Sequence, residues 1–188
     1  MILSRRDLKD YIAADNNFLI PENYKEKLIA RGVQYPTAVL KKYLYYLRKQ
    51  EFYVNCAQKS RFKGLMGLYF ERKKNKLGNK LGIEIGPNCF GKGLSIWHVG
   101  SIIVNPAARI GENCTLHGNN CIGNNGRSQA VPRIGNNVDI GYGAVIIGDI
   151  DIADNVIIGA NSVVNKSILE EGCTVVGIPA KIVKRIER

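Results

Sequence analysis

An apolar residue that returns at every sixth position constrains the fold of this chain more than any other sequence feature. The residues in this register are Val104, Ile110, Leu116, Ile122, Ile134, Ile140, Ile146, Ile152, Ile158 and Val164. Glycine often follows directly, and the fourth position after each is usually small or apolar, as at Ala108 and Val138. A period of six matches neither a helix, with about 3.6 residues per turn, nor a simple strand. It predicts a solenoid of short strands and turns whose apolar side chains stack on neighbouring coils.

Charge divides the chain into two parts. Residues 1–80 hold 18 Lys/Arg and 7 Asp/Glu, whereas residues 81–188 hold 9 of each, so the whole net charge of +11 lies in the first part. Eight of the nine tyrosines also precede residue 81. We therefore predict a basic α-helical module over residues 1–75, a connection over 76–82, a solenoid domain over 83–183 and a tail over 184–188.

Helix signals recur in the basic module. Ser4 with Asp7 three residues later forms a weak capping box. Pro21 is expected to start a helix that Gly32 ends, and Pro36 to open a longer one. A further basic and apolar segment, FKGLMGLYFERKKNK, continues the helical pattern.

Several classes are disfavoured by composition. No apolar run approaches the ~20 residues that span a bilayer, and the start, MILSRRDLKDYI, is too polar for a signal peptide. Five cysteines without a C-x-x-C spacing favour reduced, mostly buried thiols, a cytoplasmic location and no metal site. No nucleic-acid recognition motif accompanies the basic charge.

The repeat is interrupted once, by GNNGRSQAVPR over residues 123–133. These residues are polar and turn-prone, so they would stack poorly as a coil face. We expect a loop that leaves a rigid solenoid, which is where binding residues tend to lie.

The segments RIGENCTLHGNNCIG, RIGNNVDIGYGAVIIGDIDIADNVIIGANSVV and VVGIPAKIV resemble the hexapeptide-repeat acyltransferases over about residues 83–183. The resemblance implies a left-handed parallel β-helix of triangular section. LSIWHVGSIIVNPAARIGENCTLH and the loop are most similar to the serine acetyltransferase branch and its sugar O-acetyltransferase relatives. In such enzymes acetyl-CoA lies between two β-helices of a homotrimer. A dimer of trimers stays open as an alternative.

The two histidines are the candidate catalytic residues. His98 falls where that branch has its catalytic histidine, a general base that draws the proton from an acceptor hydroxyl. His117 follows the inward Leu116, at a position where sugar-modifying relatives often carry a histidine. For His117 a role as a polar residue lining the groove stays open.

Acceptor binding departs from the serine acetyltransferase pattern. Trp97 stands in place of an aspartate, and Ala130-Val131 replace an Arg-His pair, so groups able to bind a free amino acid are lost. Trp97 offers an aromatic face to a sugar, with packing between subunits as the alternative. Glu84, which replaces an earlier aspartate, and Arg133 complete the substrate-binding candidates.

The donor contacts implied by the resemblance are backbone amides at glycine-rich turns, plus a cation for the phosphates of CoA. The matching positions are Gly123, Asn124, Gly141, Tyr142, Gly159, Ala160 and Lys181. Tyr142 departs from the small residue usual there, and the glycines also suit solenoid turns regardless of any ligand.

The leading hypothesis is an acetyl-CoA-dependent O-acetyltransferase that acts on a sugar in polysaccharide biosynthesis. Serine O-acetyltransferase is the alternative within the class, and a non-enzymatic β-helical scaffold is the alternative outside it. A zinc carbonic anhydrase needs three histidine ligands, and the chain has two histidines. Two roles are open for the basic residues 1–80. They form a solvated helical surface that also packs between subunits, or they contact an anionic partner, either a saccharide or the inner face of a membrane.

Overall fold

The computed structural model describes residues 1–15, 24–57 and 60–184, in which four helices precede fourteen short strands. The helices are α1 (Arg5–Ala14), α2 (Tyr24–Gly32), α3 (Pro36–Asn55) and α4 (Arg61–Leu81). Sheet 1 contains β1 (Ile83–Ile85), β3 (Ile102–Val104), β6 (Cys121–Gly123), β9 (Val145–Ile147) and β12 (Val163–Val164). Sheet 2 contains β4 (Arg109–Ile110), β7 (Arg133–Ile134) and β10 (Asp151–Ile152). Sheet 3 contains β2 (Ser95–Ile96), β5 (Thr115–Leu116), β8 (Asp139–Ile140), β11 (Ile157–Ile158), β13 (Thr174–Gly177) and β14 (Ala180–Lys184).

Successive coils visit the three sheets in turn and pair in parallel, apart from the antiparallel hairpin of β13 and β14. A regular coil takes 18 residues, as from Val145 to its partner Val163. The fold is a left-handed parallel β-helix, as predicted.

The interior of the β-helix confirms the six-residue register. All ten apolar residues of that register are buried, with exposures from 0% at Leu116 and Ile140 to 5% at Ile110. The small residues four positions later, such as Ala108 and Val138, are also fully buried. Each coil therefore supplies two inward positions per sheet.

The corner between sheets 2 and 3 carries a ladder of asparagines. Asn113, Asn137 and Asn155 each have a positive φ, which asparagine adopts more readily than most residues. Their side-chain amides donate in sequence along the axis, Asn113 to Asn137 and Asn137 to Asn155, at 3.0 Å each. These hydrogen bonds hold the corners of successive coils in alignment.

The predicted loop leaves the solenoid between β6 and β7. Cys121 pairs with Val145, a spacing of 24 residues in place of the regular 18, so the insertion is absorbed without breaking the parallel ladder. The loop residues 125–129 are exposed.

The helical module caps the first coil. Leu40, Tyr43, Leu44 and Leu47 of α3 are buried in the same apolar cluster as Ile83, Phe90 and Leu94 of the β-helix. The amine of Lys74, on α4, donates to the carbonyl of Ile85 at 2.7 Å, and burial lowers the pKa of that amine. Helices and solenoid thus share one continuous core.

A buried ionic network fixes this cap in place. Arg48 of α3 is 0% exposed and pairs with Asp15 at 2.7 Å and Glu51 at 2.9 Å. Its guanidinium also donates to the carbonyls of Phe90 and Gly91. Asp15 in turn accepts hydrogen bonds from the N–H groups of Gly93 and Leu94. Two helices are therefore tied to one corner of the first coil.

Several predicted boundaries meet the structure directly. Ser4 caps α1 with the reciprocal Asp7 bond, and Pro36 opens α3, as expected. The predicted connection over residues 76–82 is wrong, because α4 continues to Leu81 and ends at Gly82, whose φ is positive. Packing on α3 and β1 keeps those residues helical. The predicted helix start at Pro21 and tail residues 185–188 lie outside the described residues.

Four of the five cysteines are buried and Cys121 is half-buried, as expected for reduced thiols. Across residues 1–15, 24–57 and 60–184, no helix combines the length and apolar character needed to cross a membrane.

Removing the guanidinium tests the cap. We expect Arg48→Ala to lower the free energy of unfolding by about 3–5 kcal/mol, because two carboxylates would stay buried without their cation. Arg72→Ala, which removes an exposed arginine of α4, should change it by less than about 0.5 kcal/mol. Urea titration followed by circular dichroism measures both, and equal stability of the two variants would contradict the role of Arg48.

Candidate active site

Both histidines lie at the corner that leads from sheet 3 to sheet 1. We call residues 97–101 and 117–120, on two successive coils, the histidine corner. The N–H of Trp97 donates to Leu116 O and the N–H of His117 donates to Ile140 O, so these residues occupy the same position on adjacent coils. The solenoid register therefore brings together side chains that lie far apart in the sequence.

His117 is held from two sides. Its Nε2 lies 2.7 Å from Oδ1 of Asp139, and the Trp97 ring covers it with centroids 4.6 Å apart. With Asp139 ionised, Nε2 carries the proton because a carboxylate can only accept. In the neutral imidazole the lone pair then lies on Nδ1, which can accept a hydrogen bond from a hydroxyl.

His98 is exposed on the preceding coil, directly over Gly118. A Cβ on Gly118 would lie 3.5 Å from Cβ of His98 and 3.2 Å from the ring of Tyr142 on the next coil. Gly118 also has a φ of +118°. Only glycine suits this position, where His98 and Tyr142 approach the backbone from opposite sides.

Two asparagines make the corner rigid. Asn119 accepts from the N–H of Ser101 and donates to the hydroxyl of Tyr142 at 2.6 Å. Asn120 is 1% exposed, accepts from the N–H of Gly118 and donates to the carbonyl of Gly141. Three coils are therefore linked by side chains around the histidines, which favours a preorganised site.

Two of the predicted donor-binding amides, those of Gly141 and Gly159, make hydrogen bonds between coils. The N–H of Gly141 donates to Ile158 O and that of Gly159 to Val175 O, so both are used within the coil ladder. A Cβ on Gly141 would lie 2.6 Å from the backbone N of Ala160. Close stacking of coils explains this glycine.

The other predicted site residues lie elsewhere on the solenoid. Arg133 is on sheet 2, where its guanidinium binds Asp151 at 2.7 Å and lowers the pKa of that carboxyl. Glu84 is exposed on sheet 1 in register with Ile103, and Lys181 is exposed on the terminal hairpin. Gly123 and Asn124 lie where the loop leaves sheet 1. Within one chain, the histidine corner contains Trp97, His98 and His117, and the next coil places Gly141 and Tyr142 beside it.

A cavity of about 340 Å³ lies away from the histidine corner, between the helical module and sheet 2. Its lining includes Tyr11, Glu51, Phe90 and Arg109. In the described part of the chain, no three His, Cys, Asp or Glu side chains come together as metal ligands.

Sequence reasoning missed Asp139. Asp139 lies 22 residues after His117, and the coil between them contains the loop. Counting coils could have found it, because Asp139 is in register with Thr115, two residues before His117. Residues on either side of an inward residue point outward, so the two side chains meet across adjacent strands.

Curated relatives match 107 residues of the chain. They are serine acetyltransferases. That of Synechococcus elongatus is 36% identical, with 55% of this chain and 43% of the relative covered. The enzyme of Staphylococcus aureus is 44% identical, with 55% of this chain and 50% of the relative covered. The chain thus spans about half the length of the curated relatives it matches. No protein-family model matches the chain.

Solved structures extend the similarity to nearly the whole chain. Neisseria gonorrhoeae serine acetyltransferase is 25% identical with a TM-score of 0.70, covering 98% of this chain and 69% of that one. The soybean apoenzyme is also 25% identical, with a TM-score of 0.68 and 95% of this chain covered. A serine acetyltransferase in complex with CoA has a TM-score of 0.66 at 24% identity, which shows the fold alone.

A methyl group at position 118 tests the geometry of the corner. We expect Gly118→Ala to lower the melting temperature more than Gly126→Ala does. Both positions have a positive φ, but only Gly118 has neighbours within 4 Å, whereas Gly126 faces open space. Differential scanning calorimetry makes the comparison, and equal losses would show that Tyr142 and His98 do not confine Gly118.

Proposed function

We propose that the chain transfers an acetyl group from acetyl-CoA to a hydroxyl. The observation that carries this is the histidine corner, where two imidazoles lie on adjacent coils and one is hydrogen-bonded to a carboxylate. The similarity to serine acetyltransferases supports the same reaction class. Hexapeptide-repeat acyltransferases are the family that both lines of support favour.

His98 acts as the general base in this proposal. A hydroxyl is a poor nucleophile near neutral pH, and an exposed imidazole can remove its proton as the oxygen attacks the thioester carbonyl. The new C–O bond forms as the C–S bond breaks, and His98 returns the proton to the thiolate leaving group. His117 accepts a hydrogen bond from the acceptor through Nδ1, with Asp139 holding its tautomer.

Acetyl-CoA supplies the thioester and is bound along the coil edges beside the histidine corner. Gly141, Gly159 and Ala160 have little or no side chain, so a long ligand can lie against them. Lys181 remains our candidate cation for the phosphates. Gly123, Asn124 and Arg133, which lie on other parts of the solenoid, would serve only in a groove that a second chain completes.

A homotrimer would complete that groove. Trp97, Val99, Ile103 and Tyr142 are 40–48% exposed around His98, an apolar surface suited to contact with a second copy. Contact there would remove water from the histidines, which strengthens the electrostatic interactions of the site.

The similarity to serine acetyltransferases favours serine as the acceptor. A saccharide hydroxyl is a second candidate, because Trp97 presents a 42% exposed aromatic surface at the position where the resemblance to serine acetyltransferases implies an aspartate. Asp139 is already paired with His117, which leaves it less free to bind an ammonium group.

An acceptor panel tests the reaction. Release of CoA from acetyl-CoA is followed with L-serine and with mono- and oligosaccharides, for the wild type, His98→Ala and His117→Ala. We expect turnover with at least one acceptor and a loss of about 100-fold or more in kcat for His98→Ala. Turnover with serine alone would assign that acceptor. Equal transfer by wild type and His98→Ala, or none with any acceptor, would favour the non-enzymatic scaffold.

The Asp139 carboxylate gives a separate prediction. Asp139→Asn allows the amide to donate to Nε2, which would move the proton to Nδ1 and remove the acceptor that His117 offers. We expect the KM for the acceptor to rise by about tenfold, with the KM for acetyl-CoA unchanged. Glu112→Gln, a control on the same solenoid whose carboxylate pairs with Lys92 outside the histidine corner, should have wild-type kinetics. A rise in both KM values would contradict an acceptor-specific role for His117.

A further inference from the structure

Helix α4 exposes more large apolar side chains than an ordinary helix at a protein surface does. Four large apolar residues of its first half, Phe62, Leu65, Leu68 and Tyr69, are 66%, 66%, 64% and 50% exposed. They fall on one side of the helix at spacings of three and four residues. A surface helix normally turns such a stripe toward the core.

The inward side of the same half packs on α3 through Gly67 and Phe70. Gly67 is buried against α3, where an added Cβ would lie 3.4 Å from a methyl of Val54. Gly64 is half-buried on the same side. The close approach to α3 uses Gly67, and Phe70 stacks on Tyr53 of α3 with ring centroids 5.4 Å apart. The four residues of the stripe extend into solvent. The stripe is thus not a displaced part of the core.

The second half of the outward face is cationic. We define the α4 outer face as the exposed residues of this helix. They are Arg61, Phe62, Leu65, Leu68, Tyr69, Arg72, Lys73, Asn75, Lys76, Asn79 and Lys80. No carboxylate is among these eleven described positions, and the one acidic residue of α4, Glu71, is half-buried at their edge. Lys73 lies over the Tyr69 ring at 5.4 Å, so cation and apolar stripe are contiguous.

Charge distinguishes the occupants that could cover this face. A second copy would oppose its own cations, and like charges across an interface are unfavourable. An anionic lipid surface accepts both parts, since aromatic and aliphatic side chains enter the acyl boundary while lysines and arginines meet the headgroups. We propose that the α4 outer face docks the protein on a bilayer that contains anionic phospholipid.

Docking of this kind needs no membrane-spanning segment and does not depend on the reaction proposed above. The helix would lie in the plane of the interface with the β-helix directed away from it. Association would be reversible, because a single short apolar stripe buries little area in the bilayer. Salt would weaken it by screening the cations.

Vesicle flotation tests the proposal on the full chain. Vesicles of phosphatidylcholine alone are compared with vesicles of phosphatidylcholine and phosphatidylglycerol in a 7:3 ratio (about one third anionic lipid). We expect binding to the anionic vesicles, with at least about a tenfold loss when Leu65 and Leu68 are both changed to glutamate. Lys76→Glu should weaken binding by about fivefold.

Matched controls lie on the β-helix. Leu169→Glu alters a leucine that is 76% exposed, and Lys166→Glu alters an exposed lysine, so both should bind anionic vesicles as the wild type does. Thermal melting confirms that each variant is folded. Equal binding by the Leu65/Leu68 variant and Leu169→Glu would overturn the proposal, as would equal binding to both kinds of vesicle. The proposal would also be overturned if the wild type bound no vesicles and the Leu65/Leu68 variant formed a smaller assembly than the wild type in sedimentation. That result would assign the face to contact between proteins.

Discussion

The column of aliphatic side chains inside the β-helix determines where everything else lies. Leu116, Ile140 and Ile158 stack in register along sheet 3, and any slip would expose them. The residue after each inward residue starts a corner, so Trp97, His117 and Gly141 lie above one another. The site is therefore a consequence of coil packing: residues from three coils meet because the column fixes the rise between them.

The first coil needs a second element, since an open end would expose the column to water. Helices α3 and α4 supply it, with Tyr43 and Leu47 continuing the apolar core and Arg48 joining α1, α3 and the corner at Phe90 and Gly91. A buried arginine with two carboxylates is costly unless every partner is satisfied. The backbone groups of the first coil satisfy it, and this requirement fixes the cap on the solenoid in one orientation.

Local periodicity made most of the fold predictable. The inward residues, the Ser4 cap, the Pro36 helix start and the interrupted coil all follow from short-range patterns. The end of α4 could not be predicted in this way, and residues 76–82 were wrongly expected to form a connection. Lys74 and Gly78 contact β1 and Tyr43, which keeps this part of the chain helical, and no local pattern reveals those contacts. The site was also only partly predictable. Each histidine could be identified as a candidate from its place in the sequence, but the contact of Asp139 and the occupied amides of Gly141 and Gly159 depend on pairing between coils.

A crystal structure with CoA bound tests the central claim, that the coil register assembles one reaction site from Trp97, His98 and His117. We predict that the thiol of CoA lies beside the histidine corner. The remainder of the ligand should follow the coil edges toward Gly159, with a second copy of the chain closing the groove. A thiol located elsewhere, for example in the cavity beside Arg109 and Phe90, would contradict it.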